Sequence, residues 1–154
     1  MTVSAYWYSD KTALVDAGLP PPRANINLNS VIGTYTAATG ADLDTDDCIQ
    51  MVKIPKGATI LETIVAVRAA GLDTSTGCTW SLGDTDSTDD LDRYITVQTV
   101  GQSSAGGVVR MNNPAGHGYK FTADGTIDIT IVAGASTNVA TAVVTLVVIY
   151  SMAE

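Results

Sequence analysis

The run Thr126-Ile127-Asp128-Ile129-Thr130-Ile131-Val132 alternates strictly. Ile127, Ile129 and Ile131 fall on one face while Asp128 and Thr130 take the other, the period of two that marks a strand with a buried side and a wet side. Downstream, Ala142 to Tyr150 is apolar on both faces, with Val144, Leu146 and Val148 opposing Val143, Val147 and Ile149. Such a strand needs cover twice, from a second sheet plus an arm or from another subunit. Val144, Leu146, Val148 and Tyr150 are therefore candidates for a subunit interface. Upstream, further β-like runs cover Thr79 to Leu82, Tyr94 to Val97, Val108 to Met111 and Tyr119 to Thr122, between loops rich in Gly, Ser, Asp and Asn. Ile49 to Ile54 is stopped by Pro55-Lys56-Gly57 and followed by Thr59 to Arg68, with Leu61, Thr63, Val65 and Val67 on one face. This reads as two antiparallel strands; Ile60, Ile64 and Val67 have helical spacing, but the density of β-branched residues favours a strand. Short strands at this spacing, with little helix, predict an all-β chain folded as an antiparallel β-sandwich, jelly-roll-like in topology.

The first forty-odd residues read differently. Tyr6-Trp7-Tyr8 is an aromatic cluster, and Asn25-Ile26-Asn27-Leu28-Asn29 alternates polar and apolar residues. Pro20, Pro21 and Pro22 donate no ladder hydrogen bonds, so they are unfit for a central strand and run along a surface. The organisation read from this is an extended N-terminal arm over residues 1–46 and a β-sandwich domain over 47–154. Tyr6, Trp7, Tyr8, Pro20, Pro21, Pro22, Ile26 and Leu28 are the arm residues expected to bind a neighbour. The other reading of the arm is that it folds back over its own final strand.

With 154 residues the chain has the size of one domain. Its net charge of −8 and pI near 4.3 argue against nucleic acid as a partner, since neutralising phosphates takes a surplus of Lys and Arg. The N-terminus carries no cationic flank followed by a long apolar run, and Val143 to Tyr150 is too short to cross a bilayer as a helix. The expectation is a soluble protein made in a cytoplasm, with no membrane partner. Cys48 and Cys78 are expected as buried, reduced thiols.

Between two of the β-runs lies Gly83-Asp84-Thr85-Asp86-Ser87-Thr88-Asp89-Asp90-Leu91-Asp92-Arg93-Tyr94. Carboxylates packed so densely around a single Arg must be solvated, bind a cation or face a basic surface. Asp84, Asp86, Thr88 and Asp90 place oxygens at every second position, like the opening of an EF-hand loop. The likeness then fails, with Asp89 at the sixth position, where Gly belongs, and Ile95 at the twelfth, where Glu belongs. Asp84, Asp86, Asp89 and Asp90 are left as the candidate ligands of a structural calcium ion, against the reading of a solvated loop in which Asp90 or Asp92 pairs with Arg93. No other cofactor is expected. The single histidine, His117, sits in a Gly- and Pro-rich turn, and Gly101 to Gly107 lacks the lysine of a phosphate loop. With no nucleophile and base in sight, the chain does not read as an enzyme.

The order Lys53-Ile54-Pro55-Lys56-Gly57-Ala58, then Trp80-Ser81-Leu82-Gly83-Asp84, then Asp89-Asp90-Leu91-Asp92-Arg93-Tyr94-Ile95, then Gly118-Tyr119-Lys120-Phe121-Thr122-Ala123-Asp124-Gly125-Thr126-Ile127 resembles small virion structural proteins of tailed bacteriophages. The likeness runs from Ile49 to Tyr150 and fades in the arm. It implies a decoration, cement or minor head protein that binds the major capsid protein on the outer surface of the capsid, assembles in the host cytoplasm and forms a homotrimer. The competing class is a receptor- or carbohydrate-binding module of a fibre or spike, with Trp7, Tyr8, Trp80 and Tyr94 as an aromatic platform for a sugar.

Overall fold

A computed structural model describes residues 27–37, 43–68, 72–73, 77–84, 90–102, 106–134 and 142–152. They form eight strands: β1 (Asn27–Thr36), β2 (Cys48–Ile54), β3 (Ala58–Val67), β4 (Thr79–Asp84), β5 (Asp90–Gln98), β6 (Gly107–Arg110), β7 (Gly125–Ala133) and β8 (Val143–Met152). One short 3-10 turn, Pro114–Gly116, is the only helical element among the described residues. The strands make two antiparallel four-stranded sheets, ordered β1-β8-β3-β6 and β2-β7-β4-β5. The chain crosses between the sheets at almost every step, with only β4 and β5 consecutive in one sheet, which makes the sandwich jelly-roll-like.

The core between the sheets is built from the alternation seen in the sequence. Ile127, Ile129 and Ile131 of β7 are fully buried and face Val144, Leu146 and Val148 of β8, with Ile54, Ile60, Trp80, Leu82, Tyr94, Ile95 and Phe121 filling the rest. Burial of branched side chains at this density supplies the dominant stabilisation, roughly 1.5–3 kcal/mol for each large apolar side chain. Trp80 also satisfies its indole, donating Nε1–H to the Val100 carbonyl at 2.7 Å.

Several expectations are corrected by the geometry. Asn27–Thr36 is not part of an arm: it is β1, paired along its whole length with β8. Pro55-Lys56-Gly57 joins strands of different sheets, so β2 and β3 are no hairpin. Leu61 does not share a face with Thr63, Val65 and Val67. The register of β3 on β8 shifts between Ile60 and Glu62, and this bulge takes Leu61 out to 39% exposure while Ile60 and Thr63 both stay at 0%. The same bulge splits the far side of β3 between two partners. Its first half bonds residues 118–121, through Gly118 N–H to the Ile60 carbonyl and Phe121 N–H to the Ala58 carbonyl, and its second half pairs with β6. The expected strand from Tyr119 to Thr122 is thus reduced to the isolated bridge Thr59–Lys120.

The wet side expected for β7 is dry as well, with Asp128 at 3% and Thr130 at 5% exposure. Asp128 accepts from the Thr126 hydroxyl at 2.9 Å, and the start of β5 folds over the neighbouring outer face of β4. There Ser81 Oγ donates to the Leu91 carbonyl at 2.7 Å, and a Cβ on Gly83 would lie 1.9 Å from the Asp90 carbonyl oxygen. Only glycine admits that crossing.

The outer face of the sheet β1-β8-β3-β6 is different in kind. Ile32, Val147, Ile64 and Arg110 form one row across it, and Thr34, Thr145, Ala66 and Val108 form the next. Ile32 and Val108 are 64% and 65% exposed. Glu62 is the one carboxylate in the four strands that form this face, and it is already engaged: it accepts from the backbone N–H groups of Thr63 and Met111 and from Arg110 Nη1 at 3.4 Å. The other carboxylates among the described residues lie on loops, as Asp44, Asp46, Asp47, Asp73 and Asp124 do, or on the opposite sheet, as Asp84, Asp90, Asp92 and Asp128 do.

A Gly83→Ala variant should lose about 1–3 kcal/mol of stability, the usual range for forcing an extra methyl into a filled space. Urea unfolding measures it; an unchanged midpoint would show that β5 does not cross β4 in this way.

Candidate functional site

The acidic segment is where the sequence concentrates charge, and the fold resolves it around one cation. β4 ends on Asp84 and β5 begins on Asp90, which are Cα partners across the two strands. Asp84 points inward and its side chain is 0% exposed. Arg93, three residues into β5, reaches it with Nε to Oδ2 at 2.5 Å, while its Nη1 lies 3.6 Å from Asp90 Oδ2. The guanidinium carbon also sits 3.8 Å from the centroid of the Tyr119 ring, and Tyr119 in turn meets Phe121 edge to face at 5.7 Å. Arg93 is therefore held on one side by two carboxylates and on the other by the negative face of an aromatic ring.

The same region is tied to the 111–121 loop by backbone bonds. The Tyr94 carbonyl accepts from the N–H groups of Asn112 and Asn113, and the Asn113 side chain donates to the Asp92 carbonyl at 2.8 Å. Gly116 then packs against Tyr94, with no room for a side chain. Burial alone would lower the Arg93 pKa, but the adjoining Asp84 carboxylate and then Asp90 hold it above the ordinary guanidinium value. Burial, reinforced by the Asp84 carboxylate, drives the neighbouring Tyr94 phenol far above its usual range.

Of the four expected calcium ligands, Asp84 and Asp90 are brought together on Arg93; Asp86 and Asp89 lie outside the described residues. The loop reading had Asp90 or Asp92 as the partner of Arg93. The closer partner is Asp84, and only the backbone of Asp92 takes part. Sequence spacing could not show this, because the register that turns Asp84 inward depends on the two bulges between β4 and β5. Among the described residues no group of three or more His, Cys, Asp or Glu could hold a metal ion.

The remaining candidates are dispersed. Tyr6, Trp7, Tyr8, Pro20, Pro21, Pro22 and Ile26 lie outside the described residues, and Leu28, second in β1, is 64% exposed. Val144, Leu146 and Val148, expected at a subunit interface, are at 0–1% exposure inside the chain's own core, and Tyr150 packs against that core. The outward side of β8 consists of Val143, Thr145, Val147 and Ile149. Trp80 and Tyr94 are buried too, so neither belongs to a surface platform for a sugar. His117 is exposed and closes the 3-10 turn with its N–H on the Pro114 carbonyl.

An open cleft of about 510 Å³ lies at the end of the sandwich where β2 meets β7, lined by Lys53, Ile54, Pro55, Asp124, Gly125 and Thr126. Asp124 is occupied there in accepting the Lys56 N–H at 2.8 Å. The cysteines differ from expectation in one respect: neither is in a disulfide and Cys78 is buried, but Cys48 is exposed at the start of β2. Burial, with the Asp73 carboxylate second, raises the Cys78 pKa to about 11.

No family model and no curated protein matches the chain. Solved structures do. A chain in the capsid of Ralstonia phage GP4 superposes with a TM-score of 0.70 at 20% identity, covering 88% of this chain and 90% of that one. One in the cyanophage Pam1 capsid asymmetric unit gives 0.68 at 21% identity, over 87% and 91%. The chain shares their fold. A more distant likeness, with a TM-score of 0.52 at 15% identity, joins it to a chain in the acid-stable capsid of Helicobacter pylori bacteriophage KHP30, over 80% of this chain and 87% of that one.

Two outcomes follow from this chemistry. Arg93→Met should cost about 3–5 kcal/mol in urea unfolding, because it strands the Asp84 charge in a dry site, and pairing it with Asp84→Leu should restore part of the loss. The folded pKa of Cys78 exceeds its unfolded value, so its contribution is complete below the ordinary thiol pKa of 9.0 and disappears as the pH climbs through about 11. Stability should accordingly fall over that interval, less steeply in Cys78→Ala, and a thiol reagent should titrate Cys48 at once but Cys78 only on unfolding.

Proposed function

We propose that this protein is a non-catalytic structural component of a tailed-phage virion, attached to the assembled capsid lattice as a decoration or cement protein. The observation that carries the reading is the likeness to chains of two phage capsids over nearly the full length of both partners. The side-chain chemistry agrees with it. Asp84 and Asp90 of the densest charge cluster are engaged by Arg93 in closing the fold, and the lone histidine caps a turn.

Attachment to a shell requires a rigid body and a means of reaching the shell. The sandwich supplies the first. For the second we assign residues 1–26, whose Tyr6, Trp7 and Tyr8 offer a large aromatic area and whose Pro20, Pro21 and Pro22 reduce the entropy lost on docking. The partner is the major capsid protein on the outer surface of the particle, and many copies on one shell add their modest affinities through multivalency. The competing sugar-binding reading loses half of its aromatic platform, since Trp80 and Tyr94 belong to the core.

Peptide mass spectrometry of purified virions should find the protein at a copy number commensurate with the shell. Added to shells that lack it, the full chain should cosediment with them, and a chain starting at Asn27 should fold but bind at least about tenfold more weakly, the equivalent of ~1.4 kcal/mol. Absence from virions, or equal binding by both forms, would reject the assignment.

A further inference from the structure

The outer face of the sheet β1-β8-β3-β6 is largely apolar, with hydroxyl residues between, broad and nearly free of net charge in a chain that carries −8. Its centre is Val147, flanked by Ile32 and Ile64 in one row, and Val108 stands 65% exposed at its rim. The only ions on it, Glu62 and Arg110, lie 3.4 Å apart and neutralise each other. Every other carboxylate among the described residues is on a loop or on the opposite sheet. Two copies of so acidic a chain repel through the opposite sheet and the loops, and they can approach without penalty through this face.

We propose that this face seats the same face of a second copy, so that two sandwiches pack sheet on sheet about a two-fold axis. Self-association through one patch is the isologous arrangement, in which an apolar, internally neutralised surface is its own complement. No unpaired charge is buried, because the Glu62 carboxylate keeps its bonds from Arg110 and the Met111 N–H. Three strands of ten residues and one of four, about 4.8 Å apart with about 3.3 Å per residue, present roughly 500 Å² per copy, hence about 1,000 Å² in the pair, where specific contacts begin to be stable. The unit so formed has two-fold symmetry. It differs from the homotrimer that the virion-protein resemblance implies, and it uses none of Val144, Leu146 and Val148, which are spent inside the core.

Analytical ultracentrifugation of the full chain tests this without any shell, so its failure would leave lattice attachment untouched. The wild type should sediment as a dimer that dissociates on dilution. Val147→Asp and Val147→Lys should each weaken association on the order of 100-fold while circular dichroism stays native, because like charges would meet at the axis, and an equimolar mixture of the two should recover it. Val108→Asp repeats the experiment at a rim position where the side chain carries little packing, and Val97→Asp, half-exposed on β5, should change nothing. The proposal is overturned by a wild type that is monomeric at every concentration, by folded Val147 and Val108 variants that remain dimeric, or by a mixture that stays monomeric. A chain starting at Asn27 that dimerises where the full chain does not would overturn it too, making residues 1–26 the occupant of the face.

Discussion

Arg93 is the residue on which three separate parts of the sandwich converge. Its guanidinium neutralises Asp84 at the end of β4 and approaches Asp90 at the start of β5, which brings both ends of the acidic segment to one point. Its other face lies on Tyr119, in the stretch that completes the hydrogen bonding of the first half of β3. One cation thus links the sheet β2-β7-β4-β5 to a loop that serves the opposite sheet. In a site this dry the pair is less a source of stability than a condition for it: carboxylate and guanidinium can each be buried only because the other is there.

What surrounds that pair was readable to different depths. The isoleucines of β7 and the valines of β8 announced two-layered burial, because strand alternation depends only on residue type and position. The phase of β3 was not readable, since the bulge at Leu61 is a property of pairing with β8 and leaves no mark in composition. Asp128 and Thr130 looked like a solvated face for the same reason: their register partners on β4, Gly83 and Ser81, have the start of β5 against them, a long-range event. The acidic run was recognisable as a place where charge had to be resolved, and Arg93 as its nearest cation. That Asp84 would turn inward as the principal partner required the β4–β5 register.

Charge and greasiness are segregated between the two sheets. The sheet β2-β7-β4-β5 carries Asp84, Asp90, Asp92 and Asp128, and its edge strand β5 is capped by the loop through Asn112 and Asn113. The sheet β1-β8-β3-β6 has Glu62 alone, spoken for by Arg110. A body with one acidic side and one neutral side has a preferred orientation whenever it meets another surface, and a jelly-roll-like sandwich suits that use because its two outer faces are independent of the core they share.

The close meeting of β1 and β2 bears on how such a molecule tolerates crowding. β1 is ten residues long and lies at the edge of its sheet, the kind of strand whose unpaired amides recruit a stranger's chain. At Gly33 a Cβ would come within 2.3 Å of the Met51 carbonyl oxygen, so the two sheets are pressed together along that flank. β2 thus lies against the inner face of β1 at its midpoint and fixes how that strand sits on the core. Proteins held at high local density can knit into fibres along loose ribbons, and here a missing methyl group keeps the outermost one pinned flat.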